Sequence, residues 1–231
     1  MYILNISMKK LFYPLVKNPF SSKDIYEGIK VLKSKQLTLS TKTFELENYF
    51  KKKFNSKFSA MVNSGSSANL LAFQTLINPY RKNRLKTNDE VLIPALCWPT
   101  SFWPIIQSNL KPVFVDCDKN NFNIDIKDLE KKITKKTKCL MLIHVLGHCA
   151  DMDKIMQIVK KNNLILIEDN CESIGSKYKK KYLGTYGDFS TFSFYSSHQI
   201  SGGEGGMLNC KASRDYQIIK TLIKNKIPVM G

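Results

Sequence analysis

Four short stretches of this sequence set polar, titratable or planar side chains directly after apolar runs. In Asn63-Ser64-Gly65-Ser66-Ser67-Ala68-Asn69 a Gly–Ser turn opens an apolar helical pattern. Backbone N–H groups at a helix start, joined by hydroxyls, make a phosphate cradle; the same serines serve equally as a helix N-cap. In Ile167-Glu168-Asp169-Asn170-Cys171-Glu172 acidic residues close an apolar run. A buried carboxylate needs a partner. One such partner is the protonated nitrogen of a heterocycle such as a pyridoxal ring; the plainer alternative is the start of a following helix. Ser193-Phe194-Tyr195-Ser196-Ser197-His198-Gln199 offers hydroxyls for phosphate and an imidazole that moves protons near neutral pH, unless the histidine is a hydrogen-bonded structural residue. Trp98, in Pro94-Ala95-Leu96-Cys97-Trp98-Pro99-Thr100, is placed either to stack on a planar ring or to pack in the core. Taken together, a phosphate cradle, a stacking aromatic, a carboxylate and a proton-shuttling histidine compose a pocket for a phosphorylated planar cofactor.

The elements that must position these groups are legible in the hydrophobic pattern. Residues 22–34 and 42–54 read as amphipathic helices, carrying Ile25, Ile29, Val31 and Leu32, then Phe44, Leu46, Tyr49, Phe50 and Phe54. Residues 66–78 read as a third helix. Continuous apolar runs follow at 90–96, 111–116, 139–147, 164–170 and 190–195, with helical patterns near 99–108, 125–134 and 151–162. The glycine-rich Gly202-Gly203-Glu204-Gly205-Gly206 re-enters a strand at Met207-Leu208. Strands that are apolar throughout suit a sheet covered on both faces, and strand–helix alternation predicts an α/β domain with a mostly parallel central sheet flanked by helices. In such sheets ligands bind at the carboxyl ends of the strands, where the four stretches fall.

Composition narrows the function classes. With 43% hydrophobic residues the chain buries a real core, which excludes wholesale disorder. No apolar run reaches the length of a membrane span, and the opening MYILNISMKKLFYPL lacks a secretory h-region and cleavage site. The net charge of +17 comes from lysines spread along the whole chain, as in 51–54, 131–138 and 177–182. Without a clustered, aromatic-interleaved motif this reads as a solvated surface whose field attracts anionic small molecules such as nucleotides, rather than as a nucleic-acid interface. The six cysteines form no CxxC, so no metal site is expected; they read as reduced thiols of a cytoplasmic protein, most of them buried.

The runs SGSSANLLA, VLIPALCWPT, PVFVDCD, ADMD, LIEDNCESIG, GTYGD, TFSFYSSHQI and GEGGM, spanning roughly residues 10–230, resemble the DegT/DnrJ/EryC1/StrS sugar aminotransferase family. The resemblance implies the large domain of a fold-type-I pyridoxal-phosphate (PLP) aminotransferase. It further implies an N-terminal segment and helix over residues 1–40, the coenzyme-binding domain over 41–231, and a smaller C-terminal domain missing beyond Gly231. Ordinary members tether the coenzyme through a lysine; here that position is His198, and residues 182–210 contain no lysine. A branch of the family with this exchange holds pyridoxamine 5′-phosphate freely and removes the C3 hydroxyl of a 4-keto-6-deoxy nucleotide sugar, toward 3,6-dideoxy sugars of lipopolysaccharide-type glycans. By the resemblance, Asp169 pairs with the pyridine nitrogen, Glu172 lies close to the ring, Trp98 stacks on it, and Gly65, Ser66, Ser67 and Ser193 hold the phosphate. His198 is the base, glutamate the amino donor, and the working form a homodimer. A nucleotide-sugar aminotransferase and a non-catalytic family member remain as alternatives.

Overall fold

The computed structural model describes residues 16–224; the N-terminal stretch read for a signal lies outside them. Two helices come first, α1 (Ser22–Ser34) and α2 (Thr41–Lys53), then β1 (Phe58–Val62) and α3 (Gly65–Ile77). The alternating region comprises β2 (Glu90–Pro94), α4 (Pro99–Gln107), β3 (Lys111–Val115), α5 (Ile126–Lys132), β4 (Thr137–Ile143), α6 (Met152–Lys161) and β5 (Ile165–Asp169). A two-stranded hairpin, β6 (Lys177–Tyr178) and β7 (Lys181–Tyr182), precedes β8 (Phe189–Ser193), β9 (Gly206–Cys210) and α7 (Ser213–Lys224).

Seven strands form one sheet in the order β1-β9-β8-β5-β4-β2-β3. β3, β2, β4, β5 and β8 run parallel, and only β9 runs against its neighbours, pairing antiparallel with both β8 and β1. Because side chains alternate along a strand, each strand feeds two cores. Ile167, Phe189 and Leu208 face α3, α4 and α7 with Ala72, Phe73, Ile105 and Ile219. Leu140, Leu142 and Leu166 face α5 and α6 with Leu129, Ile155 and Val159. Phe192, Phe194 and Met207 meet Phe50 and Phe54 of α2 on that second side. The continuous apolar runs are thus explained by helices on both faces.

The same alternation sends Asp169, Thr191 and Ser193 toward α3 and Glu168 to the opposite face. Glu168 is fully buried. Its carboxylate accepts from the amides of Gly184 (2.9 Å), Tyr186 (2.7 Å) and Gly187 (2.6 Å). His144 Nε2 lies 3.5 Å away, while the Ala150 amide donates to His144 Nδ1 (3.3 Å), which turns Nε2 toward the carboxylate. Burial pushes the Glu168 pKa up, but the bonds from His144 and the amides outweigh it and hold the group below its ordinary value. A depressed carboxylate pKa stabilises the fold above the unfolded-state value and loses that contribution as pH falls. Glu168→Gln is therefore expected to cost roughly 3 kcal/mol at pH 7, because an amide presents N–H to buried donors. The difference from wild type should shrink as pH falls below about 4.5, the ordinary glutamate value, through the depressed one. Denaturant midpoints read at several pH values check this; a gap constant from pH 7 to pH 3 would contradict it.

α1 forms as predicted, closed by a capping box in which Ser21 and Asp24 exchange bonds. Its apolar stripe, however, is buried against nothing among the described residues: Ile25, Ile29 and Leu32 are 57%, 41% and 65% exposed. The cysteines also depart from expectation. Only Cys139 and Cys210 are fully buried. Cys97, Cys117, Cys149 and Cys171 follow the ends of β2, β3, β4 and β5, where the chain leaves the covered part of the sheet.

Candidate active site

The carboxyl ends of the parallel strands and the start of α3 converge. Ser64, rather than Ser66 or Ser67, is the N-cap: its Oγ accepts from the Ser67 amide at 3.0 Å, and the two hydroxyls lie 3.1 Å apart. The capping and phosphate readings are therefore compatible, since Ser66 and Ser67 are left half-exposed on the first turn and the Ser66 amide has no partner among the described residues. Glycine is required here by close approach. A Cβ on Gly65 would meet Ser193 Cβ at 2.7 Å and Cys171 Sγ at 2.8 Å, and one on Gly206 would meet the Ser64 carbonyl oxygen at 2.3 Å. The glycine-rich segment before β9 thus lets the α3 loop lie against the sheet, where Ser64 bridges Gly205.

Asp169 ends β5 and is 4% exposed. No helix follows it; its Oδ1 instead accepts from the Cys171 amide at 3.0 Å in a tight turn, which sets aside the helix-start reading. Oδ2 accepts from Asn69 Nδ2 of α3 (2.9 Å) and Ser101 Oγ of α4 (2.8 Å). Asn69 is oriented in turn by Thr191 Oγ1 of β8, which donates to its Oδ1 at 2.7 Å. Four elements thereby fix one carboxylate. Asn69, Ser101 and Thr191 were missed by the sequence reading. The available signal was Asn69, a polar residue inside an apolar helical run, which requires a buried partner. Burial, then the Asp169 charge, push the Cys171 and Cys97 thiols above their usual range, so both stay protonated beside the carboxylate.

The remaining predicted residues lie at the end of β8 or on the segments that follow β8, β2 and β5. Ser193, 7% exposed, ends β8, and its Oγ accepts from the Tyr195 amide at 3.3 Å. Trp98 directly precedes α4, with its carbonyl accepting from the Ser101 amide; at 70% exposure it is not a core residue. Glu172 turns its carboxylate to the Leu146 amide (2.8 Å) in the turn after β4. His198 lies on the loop after β8, held by its amide bond to the Tyr195 carbonyl, with its ring edge-to-face on Tyr195 at 6.0 Å. Neither imidazole nitrogen has a hydrogen-bond partner among the described residues, so it is not the satisfied structural histidine of the alternative reading. The neighbouring Gln199 side chain donates to the Glu172 carbonyl at 2.5 Å, joining the His198 loop to the Glu172 turn.

A mostly parallel sheet with an aspartate closing a central strand, opposite a glycine-serine helix start, is the large domain of the PLP-dependent aminotransferase fold. The chain belongs to the DegT/DnrJ/EryC1/StrS aminotransferase family, whose sequence profile matches residues 21–226. It is 39% identical over 208 residues to the GDP-4-keto-6-deoxy-D-mannose 3-dehydratase of Escherichia coli O55:H7, covering 90% of this chain and 53% of that protein. Among solved structures, a GDP-4-keto-6-deoxymannose 3-dehydratase with a trapped PLP–glutamate geminal diamine matches with a TM-score of 0.87 at 35% identity, covering 95% of this chain and 58% of the other. The E. coli GDP-4-keto-6-deoxy-D-mannose 3-dehydratase with bound hydrated PLP matches with a TM-score of 0.85 at 36% identity, covering 94% and 56%. The chain spans about half the length of the curated relatives it matches. Among the described residues no helix is long and apolar enough to cross a membrane.

Proposed function

We propose that this chain is the coenzyme-binding domain, residues 41–231, of a pyridoxamine/pyridoxal phosphate-dependent 3-dehydratase acting on a 4-keto-6-deoxy nucleotide sugar, toward 3,6-dideoxy sugars of lipopolysaccharide-type glycans. The observation that carries this reading is His198: an imidazole without a hydrogen-bond partner among the described residues follows the strand end where tethering members of the family place a lysine, and no lysine occurs between residues 182 and 210. The buried, fixed Asp169 and the open α3 start fit a phosphorylated pyridine. When bound, that group supplies an amine for the sugar ketone and an electron sink. Gly65, Ser66, Ser67 and Ser193 bind its phosphate through backbone amides and hydroxyls. Asp169 holds a proton on the ring nitrogen, and Trp98 covers one ring face. Glu172, through Leu146, sets the turn beside the ring. His198 takes the proton from C4′ of the coenzyme and gives one to the departing C3 oxygen; a positioned base of this kind is worth roughly 10²–10⁴ in rate.

The 70% exposure of Trp98 supports a site completed by a second copy in a homodimer and by a smaller C-terminal domain. Glutamate restores the amine form. The six unpaired thiols suit the cytoplasm. The decisive experiment supplies this chain, alone and joined to the C-terminal half of the E. coli relative, with PLP, glutamate and a 4-keto-6-deoxy nucleotide sugar. Mass spectrometry is expected to show a product lacking the C3 oxygen. A product aminated at C4 with the C3 oxygen retained would replace the dehydratase reading with the aminotransferase one.

A further inference from the structure

We infer a second anion site, for the clustered phosphates of a nucleotide, at the end of the sheet opposite Asp169. α3 starts at the phosphate cradle and runs back along the sheet for 13 residues, about 20 Å at 1.5 Å per residue. Beyond its end the 78–89 connection meets the start of α7, and together they form an open cleft of about 650 Å³ lined by Tyr80, Arg81, Lys82, Arg84, Lys86 and Arg214. That volume lies within the range of small-molecule sites.

The arginines are held before any ligand arrives. Arg81 donates from Nε and Nη2 to the two oxygens of the buried Asp215 (2.9 and 3.4 Å) and from Nη1 to the Asn83 carbonyl (2.7 Å). Arg214 Nε donates to the Tyr80 carbonyl at 2.7 Å, which leaves both its Nη groups without a partner among the described residues. The side chains of Lys82, Arg84 and Lys86 have no acidic or carbonyl partner there either. The acids at hand are Asp215, committed to Arg81, and Asp89, whose carboxylate accepts from the Lys86 amide. Five cations against two acids leave the cleft net positive, and the open Nη groups of Arg214, fixed through its Nε, match phosphate oxygens.

An adjoining cleft of about 380 Å³ shares Tyr80 and Arg214 and continues along α7 over Gln217, Ile218, Thr221 and Leu222. A basic compartment joined to a partly apolar one, with the 77%-exposed Tyr80 ring between them, suits phosphates on one side and a base on the other.

The test uses the full chain and two probes, GDP and inorganic pyrophosphate, with amide chemical shifts and calorimetry as readouts. Both probes are expected to shift residues 79–87. GDP is expected to shift 213–222 as well and to bind more tightly than pyrophosphate. Arg84→Ala with Lys86→Ala should weaken binding at this cleft about tenfold, as expected for losing charge-assisted contacts. Lys131→Ala with Lys135→Ala removes the same charge elsewhere and should change it less than twofold. Equal weakening by the two pairs would reduce the effect to net charge and overturn the site. Shifts confined to residues 64–68, or absent, would overturn it too, without bearing on the dehydratase assignment.

Discussion

Asp169→Asn is expected to lower turnover by about a thousandfold while lowering the melting temperature by only a few degrees. At an effective dielectric near 20, a unit charge at contact range is worth roughly 4 kcal/mol, or about three pKa units on the ring nitrogen it faces. An amide supplies none of that, so the ring loses the proton that makes it an electron sink. The fold loses less. With the new amide oxygen in the Oδ2 place, Asn69 and Ser101 keep their acceptor and only the Cys171 amide faces an –NH2 group; a single mispaired donor costs about 1 kcal/mol. For a domain of this size that corresponds to roughly 2–4 °C. Turnover in the completed enzyme, the absorbance of bound coenzyme and thermal melts separate the two effects. Turnover equal to wild type would remove Asp169 from the mechanism.

His198→Lys is expected to change the chemistry rather than merely weaken it. The wild-type protein should release all its coenzyme on denaturation after borohydride treatment, because no lysine occurs between residues 182 and 210. The variant should retain it covalently on the peptide bearing residue 198. Dehydration should fall by roughly 10²–10⁴, the value of a positioned acid–base group, since a lysine amine ordinarily titrates about four units above an imidazole. His198→Asn should lose dehydration to a similar degree without gaining the covalent link. Peptide mapping and product mass spectrometry read both. Unchanged dehydration in either variant would show that His198 is not the base, and a reduced adduct on a wild-type lysine would refute free coenzyme binding.

Much of this fold was legible because its elements are two-sided or capped. The helices predicted at 22–34, 42–54 and 66–78 occur at Ser22–Ser34, Thr41–Lys53 and Gly65–Ile77, and the five apolar runs overlap the five parallel strands, of which β4 and β8 begin two residues and one residue earlier than read. β1 escaped notice because Phe58–Val62 is short and includes Ser59, with neither a long apolar run nor clean alternation. The reversal of β9 has no local signature, since strand direction depends on partners distant in sequence. At the site, the residues proposed to meet coenzyme or substrate were singled out by type and position. The supporting bonds from Asn69, Ser101 and Thr191 were not: they arise only when α3, α4 and β8 are brought together over Asp169, across 68 to 122 residues of chain.

The unequal anchoring of Asp169 and His198 has an evolutionary consequence. Asp169 is knit into α3, α4, β8 and its own turn, so its replacement disturbs a shared framework. His198 sits on a loop closed at its base by backbone bonds of Phe194 with Gly202 and Gly205, and near residue 198 held by its own amide bond to Tyr195 and the neighbouring Gln199 side chain. A mutation at position 198 therefore exchanges one reactive group for another while leaving the scaffold intact. On the proposed assignment of His198 as the base, the residue that decides the product is one that selection can vary at little cost to folding.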